Sequence, residues 1–141
     1  MSIRIYYDNA RYRLKNSKEI IKIIKRVIRE EKKIPGDLSY IITTDKELKK
    51  INRQFLGRDY YTDVIAFDYG EKEIVNGEIY ISKETVKRNA NNYKVSLRNE
   101  LLRVIFHGTL HLCGFKDKSK GQKERMRRQE ERWLQEIYRK G

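Results

Sequence analysis

Cysteine occurs once in the 141 residues. No internal disulfide can form, which suits a reducing compartment. Proline also occurs once and glycine eight times, so nothing has the composition of a linker. A chain of this length is expected to be one domain, 1–141, with core enough to fold unaided. Long apolar runs are missing as well, and the opening residues, Met1 to Lys15, alternate apolar and charged side chains without the apolar stretch of a signal peptide. The expectation is a soluble cytoplasmic protein with no membrane partner. Acidic residues are few, 20 against 33 basic, giving a formal net charge of +13. Such an imbalance steers a small protein toward a polyanion, nucleic acid above all. Ten tyrosines add stacking surface for bases, although tyrosine also fills strands and cores.

Histidine occurs only twice, and the two are four residues apart, in His107-Gly108-Thr109-Leu110-His111-Leu112-Cys113-Gly114-Phe115-Lys116-Asp117. Residues four apart on a helix share a face, so both imidazoles can close on one metal ion. Gly114 is placed to end that helix, and Asp117 to return as a third ligand from the loop beyond. Two imidazoles, a carboxylate and an open fourth position are the donor set of a catalytic zinc site, whereas structural zinc is usually closed by four protein ligands. A lone helical histidine is ordinarily a satisfied core residue; the pair with its glycine and carboxylate is not ordinary. Cys113, far round the helix from both histidines, reads as apolar filler.

Periodicity supplies the frame. Ile3 to Tyr7 alternates as a strand, and Asn16 caps a helix through Ile20, Ile24 and Ile28 that extends to about Lys33, its outer face carrying Lys18, Lys22 and Arg29. Pro35-Gly36-Asp37 predicts a turn before a strand from Leu38 to Thr43. Thr44 opens a capping box for a short helix through Phe55. Asp63 to Asp68 predicts a strand buried on both faces, paired with one from Ile74 to Ile81. Ser82 caps a polar helix, Ser96 caps the helix bearing the histidines, and Ser119 with Gln122 opens a last helix that buries Met126, Trp133, Leu134 and Ile137. The histidine helix is apolar nearly all round, leaving a polar stripe of Glu100, Arg103, His107 and His111 that predicts a cleft wall. The fold class expected is α+β: a small mixed four-stranded sheet packed with about five helices, the central buried helix carrying the metal ligands.

The ligand spacing matches the long zincin motif, but in zinc proteases the residue after the first histidine is a glutamate base, and here it is Gly108. Peptide hydrolysis is therefore disfavoured, and the zinc peptidase stands as an alternative. His-Gly-x-Leu-His-Leu-x-Gly-Phe resembles the YbeY family of metal-dependent endoribonucleases. Two more segments are similar to that family's strands: Asp59-Tyr60-Tyr61-Thr62-Asp63-Val64-Ile65-Ala66-Phe67, and Gly77-Glu78-Ile79-Tyr80-Ile81-Ser82. The resemblance implies a zincin-like fold, one zinc per chain on His107, His111 and Asp117, and cleavage of single-stranded RNA in maturation of the 3′ end of small-subunit (16S) rRNA and in ribosome quality control. The ribosome or its small subunit is the implied partner. Two departures follow: the family commonly has a histidine where this chain has Asp117, and an arginine assigned to cleavage falls at Leu56. Arg58 and Arg103 are then the candidates to offset charge in the transition state beside the catalytic His107 and His111, with Arg53, Arg58, Lys116 and Lys118 as substrate contacts. An RNA- or ribosome-binding assembly factor with a structural metal is the reading from a different class.

Overall fold

The computed structural model describes residues 2–57 and 62–140. Four strands, β1 (Ile3–Tyr7), β2 (Ile34–Thr43), β3 (Val64–Asp68) and β4 (Ile74–Ser82), form one sheet in the order β1-β2-β4-β3. β1, β2 and β4 run parallel, and β3 closes one edge antiparallel to β4, with Ile65 opposite Tyr80 and Phe67 opposite Glu78. The sheet is mixed and four-stranded, as expected. Five helices accompany it: α1 (Ser17–Glu30), α2 (Asp45–Leu56), α3 (Lys83–Tyr93), α4 (Leu97–Leu112) and α5 (Lys120–Lys140).

The helix starts obey the capping chemistry. The side chains of Thr44, Ser82 and Ser96 each accept a hydrogen bond from the backbone N–H three residues on. Ser119 and Gln122 cap reciprocally, since Ser119 Oγ accepts from Gln122 N at 3.1 Å while Gln122 Oε1 accepts from Ser119 N at 3.0 Å. Asn16 departs from expectation: it takes a left-handed backbone conformation and makes no side-chain cap.

Three expectations are corrected. α1 stops at Glu30 rather than Lys33, because Lys32 turns left-handed and the Lys33 N–H closes back on Ile28 O, a Schellman closure that a run of charged residues does not announce. Pro35-Gly36-Asp37 is not a turn before a strand but part of β2. The pairing with β4 slips between Pro35 and Leu38, and Asn76 Oδ1 accepts from Asp37 N at 2.7 Å inside the bulge. β3 is not buried on both faces: it is an outer strand bonded only to β4, leaving Ala66 and Asp68 exposed.

α4 lies at the centre, between the sheet and helices α1, α3 and α5. Leu101, Leu102, Ile105, Phe106 and Leu110 are buried with Ile20, Ile24 and Ile28 of α1, Ile79 and Ile81 of β4, and Trp133, Leu134 and Met126 of α5. Each such side chain withdrawn from water stabilises the fold by about 1.5–3 kcal/mol before chain entropy is counted. A polar contact sits inside this core. Thr109 donates to Ile105 O, so its Oγ1 accepts from the Tyr40 hydroxyl at 2.5 Å, and neither residue is exposed. Burial raises the Tyr40 pKa, which keeps the phenol neutral as the donor. Cys113 is buried, and that burial pushes its thiol up to about 12, in keeping with a filler role.

Candidate metal centre

α4 ends where the site begins. Gly114 adopts φ +105°, a conformation that an L side chain resists, and the Phe115 N–H bonds back to Leu110 O. The chain is thereby reversed beside its own last turn. His111 Nδ1 donates to Phe115 O at 2.9 Å, fixing that imidazole, and two residues later Asp117 arrives between the histidines. Its Oδ2 stands 3.4 Å from His107 Nε2 and 3.3 Å from His111 Nε2. The imidazoles meet edge to face, with centroids 4.6 Å apart.

The donor set fits a zinc ion. For four ligands at about 2.0–2.1 Å in a tetrahedron, neighbouring donor atoms lie about 3.3–3.4 Å apart. Both separations to Asp117 match. The three donor atoms lie within 4.8 Å of one another. Each Nδ1 already donates elsewhere, so each Nε2 presents its lone pair to the space shared with the carboxylate. Among the described residues this trio alone could hold a metal ion, and Cys113 is not part of it.

Sequence reasoning missed Glu130. This α5 carboxylate is only 6% exposed, accepts from His107 Nδ1 at 2.7 Å, and takes a second contact from Arg103 Nη1 at 3.2 Å. A signal was present: Met126, Glu130, Trp133 and Leu134 follow helical spacing, so Glu130 falls within the apolar stripe, where a carboxylate requires a partner. Burial alone would lower the His107 pKa. The hydrogen bond and charge of Glu130, with Asp117 and Asp63 adding theirs, outweigh burial and raise it. Asp63, just before β3, belongs to the same electrostatic cluster; burial raises its pKa against the opposing pull of His107.

The other expected residues divide. Arg103 is on the polar stripe as anticipated, yet its guanidinium faces protein carboxylates: Glu100 at 3.4 Å, Glu130 at 3.2 Å, and Glu131. Lys116 and Lys118 are exposed on either side of Asp117. Arg53 is exposed on α2 and lines a separate cleft with Asn9, Thr44 and Lys46. Arg58 lies outside the described residues. Leu56, where the family arginine was expected, is 43% exposed at the end of α2.

With the trio and its support in place, the comparisons decide the kinship. The family model described as Endoribonuclease YbeY matches residues 6–138. The chain belongs to the YbeY family. It is 40% identical over 134 residues to the Endoribonuclease YbeY of Parabacteroides distasonis, spanning 95% of this chain and 94% of that one. Against the Endoribonuclease YbeY of Christiangramia forsetii it is 47% identical over 108 residues, 77% of this chain and 76% of the relative. The solution structure of TM1509 from Thermotoga maritima superposes with a TM-score of 0.65 at 32% identity, covering 99% of this chain and 93% of that chain. For this YbeY family member, the histidine helix and its returning loop lie within the matched residues.

The support given by Glu130 carries an expected result. Glu130→Gln keeps the shape of the acceptor but removes the charge that favours a donating Nδ1–H. Metal affinity should fall about 10–100-fold, the usual effect of disturbing a ligand's outer partner. Competition against a chromophoric chelator reads it directly, and an unchanged affinity would show that Glu130 serves packing alone.

Proposed function

We propose that this chain is a zinc-dependent endoribonuclease that cleaves single-stranded RNA in the cytoplasm, acting in maturation of the 3′ end of small-subunit (16S) rRNA and in ribosome quality control. The observation that carries the reading is the trio of His107, His111 and Asp117, with both imidazoles held so that their Nε2 atoms converge on one carboxylate oxygen. A zinc ion held there supplies Lewis-acid stabilisation of charge on a phosphoryl oxygen and activation of water. Glu130 holds His107 in the donating tautomer, and the Phe115 carbonyl does the same for His111. Arg103 is assigned a positioning part, since it compensates Glu130 and Glu131. Lys116 and Lys118, flanking Asp117, and Arg53 and Arg58 are assigned to RNA phosphates.

No observation favours the alternatives. The three ligand side chains are 24%, 31% and 40% exposed, in an open cleft that a purely structural metal does not need. Gly108 leaves the peptidase without its base. No helix among the described residues is long and apolar enough to cross a membrane. The test is cleavage of labelled single-stranded rRNA fragments, which should cease when a strong chelator strips the protein and return when zinc is restored. Cleavage that survives complete stripping overturns the reading.

A further inference from the structure

Beside the trio opens a cleft of about 600 Å³ whose floor carries His107 and Asp117 and whose wall is the start of α5. Lys120, Lys123 and Arg127 line that wall, and Glu124 stands among them. Positions 120, 123 and 127 follow helical spacing, so the three cations form one column on the cleft side of the helix. All three are exposed, and none forms an ion pair among the described residues. Two of the cations of α1 are paired, Lys22 with Glu19 and Arg26 with Glu136, while Lys18 and Arg29 are exposed without an ion pair among the described residues but stand away from the cleft.

The column is also placed against local helix stability. The first turn of α5 contains no acidic residue, and Lys120 and Lys123 stand at the positive end of the helix dipole. Cations there are unfavourable by some tenths of a kcal/mol unless an anion accompanies them. From Lys120 to Arg127 the axis advances about 10 Å at 1.5 Å per residue. A stacked strand places a phosphate about every 3.4 Å, so about three successive phosphate spacings match that length.

We propose that Lys120, Lys123 and Arg127 are the track that holds the phosphodiester backbone of single-stranded RNA as it runs to the trio. The basic surface that matters is then the cleft wall of α5, not the outer face of α1. This rests on the reading of the trio as a nuclease centre, although binding is measured without cleavage. Glu124 is the repulsive member of the wall and keeps the strand's grip short of maximal.

The experiment is a fluorescence-anisotropy titration of a fluorescein-labelled, unstructured RNA oligonucleotide at several salt concentrations, with chelator present to prevent cleavage. Each phosphate contact on a single strand contributes about 0.7 to the slope of log affinity against log salt. The triple variant Lys120→Ala, Lys123→Ala, Arg127→Ala should therefore bind with a slope shallower by about two, and about tenfold or more weakly at low salt. A control triple, Lys18→Ala, Lys22→Ala, Arg29→Ala, removes equal charge from the exposed face of α1 and should bind nearly as well as the parent. Glu124→Gln should bind more tightly. The cleft variant should melt at the same temperature as the parent or higher, because its substitutions relieve the end of α5. Equal losses in the two triples, or an unchanged slope in the cleft variant, overturn the track. Cleaving protein with an unchanged slope leaves the nuclease reading standing while the track falls; protein that binds RNA along the track but never cleaves does the reverse; and a parent that neither binds nor cleaves removes both.

Discussion

His107→Ala should lose RNA cleavage by on the order of a thousandfold or more while remaining folded. The figure follows from the several kcal/mol of transition-state stabilisation that a metal centre supplies, converted at about 1.36 kcal/mol per decade. Folding should survive because His107 is partly exposed at a cleft wall, so no sealed core void replaces the ring. Nor does the substitution strand its buried partner, since Glu130 retains the Arg103 guanidinium at 3.2 Å. Three measurements separate the outcomes: bound zinc per chain, circular dichroism, and cleavage of a labelled rRNA fragment. Folded, zinc-depleted, inactive protein is the expected result. Full cleavage by the variant would trace the activity to a contaminating nuclease.

Gly108→Glu, which would write the protease base into the motif, should instead leave the chain largely unfolded. A Cβ at Gly108 would stand 3.0 Å from Ile79 Cγ2 and 3.1 Å from Ile79 Cδ1, against the core face of β4. Overpacking of this kind costs about 1–3 kcal/mol. The carboxylate beyond it would lie among apolar side chains without a partner, a penalty of several kcal/mol more. Together these approach the whole stability of an ordinary domain, about 5–15 kcal/mol. Gly108→Ala should be mild by comparison, because the gain in helix propensity, about 1 kcal/mol, offsets much of the crowding. Thermal denaturation of the two variants side by side checks the contrast; a Gly108→Glu protein melting like the parent would remove the packing explanation. The missing base is thus a matter of how closely α4 lies on the sheet as well as of which reaction is run.

What the sequence made legible follows from local chemistry. Caps at Thr44, Ser82, Ser96 and Ser119 are written in three-residue spacings, and each formed its hydrogen bond. The trio was legible because all its members fall within eleven residues, His107 to Asp117. What failed depended on neighbours distant in the chain. Pro35-Gly36 is turn chemistry in any local window, yet Asn76 of β4 converts it to a bulge. The centre of β3 is apolar enough for a buried strand, but its place at the sheet edge is decided by pairing. Glu130 was legible only in part: its spacing from Met126, Trp133 and Leu134 puts it in the apolar stripe, but the group it meets there is decided by α4. The arginines were the least legible, because a cation's role depends on which carboxylates reach it, as the three around Arg103 show.

The hydroxyl pair of Tyr40 and Thr109 offers a way to time the protein's breathing. Both groups are fully enclosed, and Thr109 stands midway between the two histidines on the helix that carries them. Their protons can trade with deuterium only when α4 lifts from the sheet, so exchange there tracks that opening rather than fraying at the ends. The turnover of one pair of protons thus becomes an internal stopwatch for the platform beneath the metal ligands.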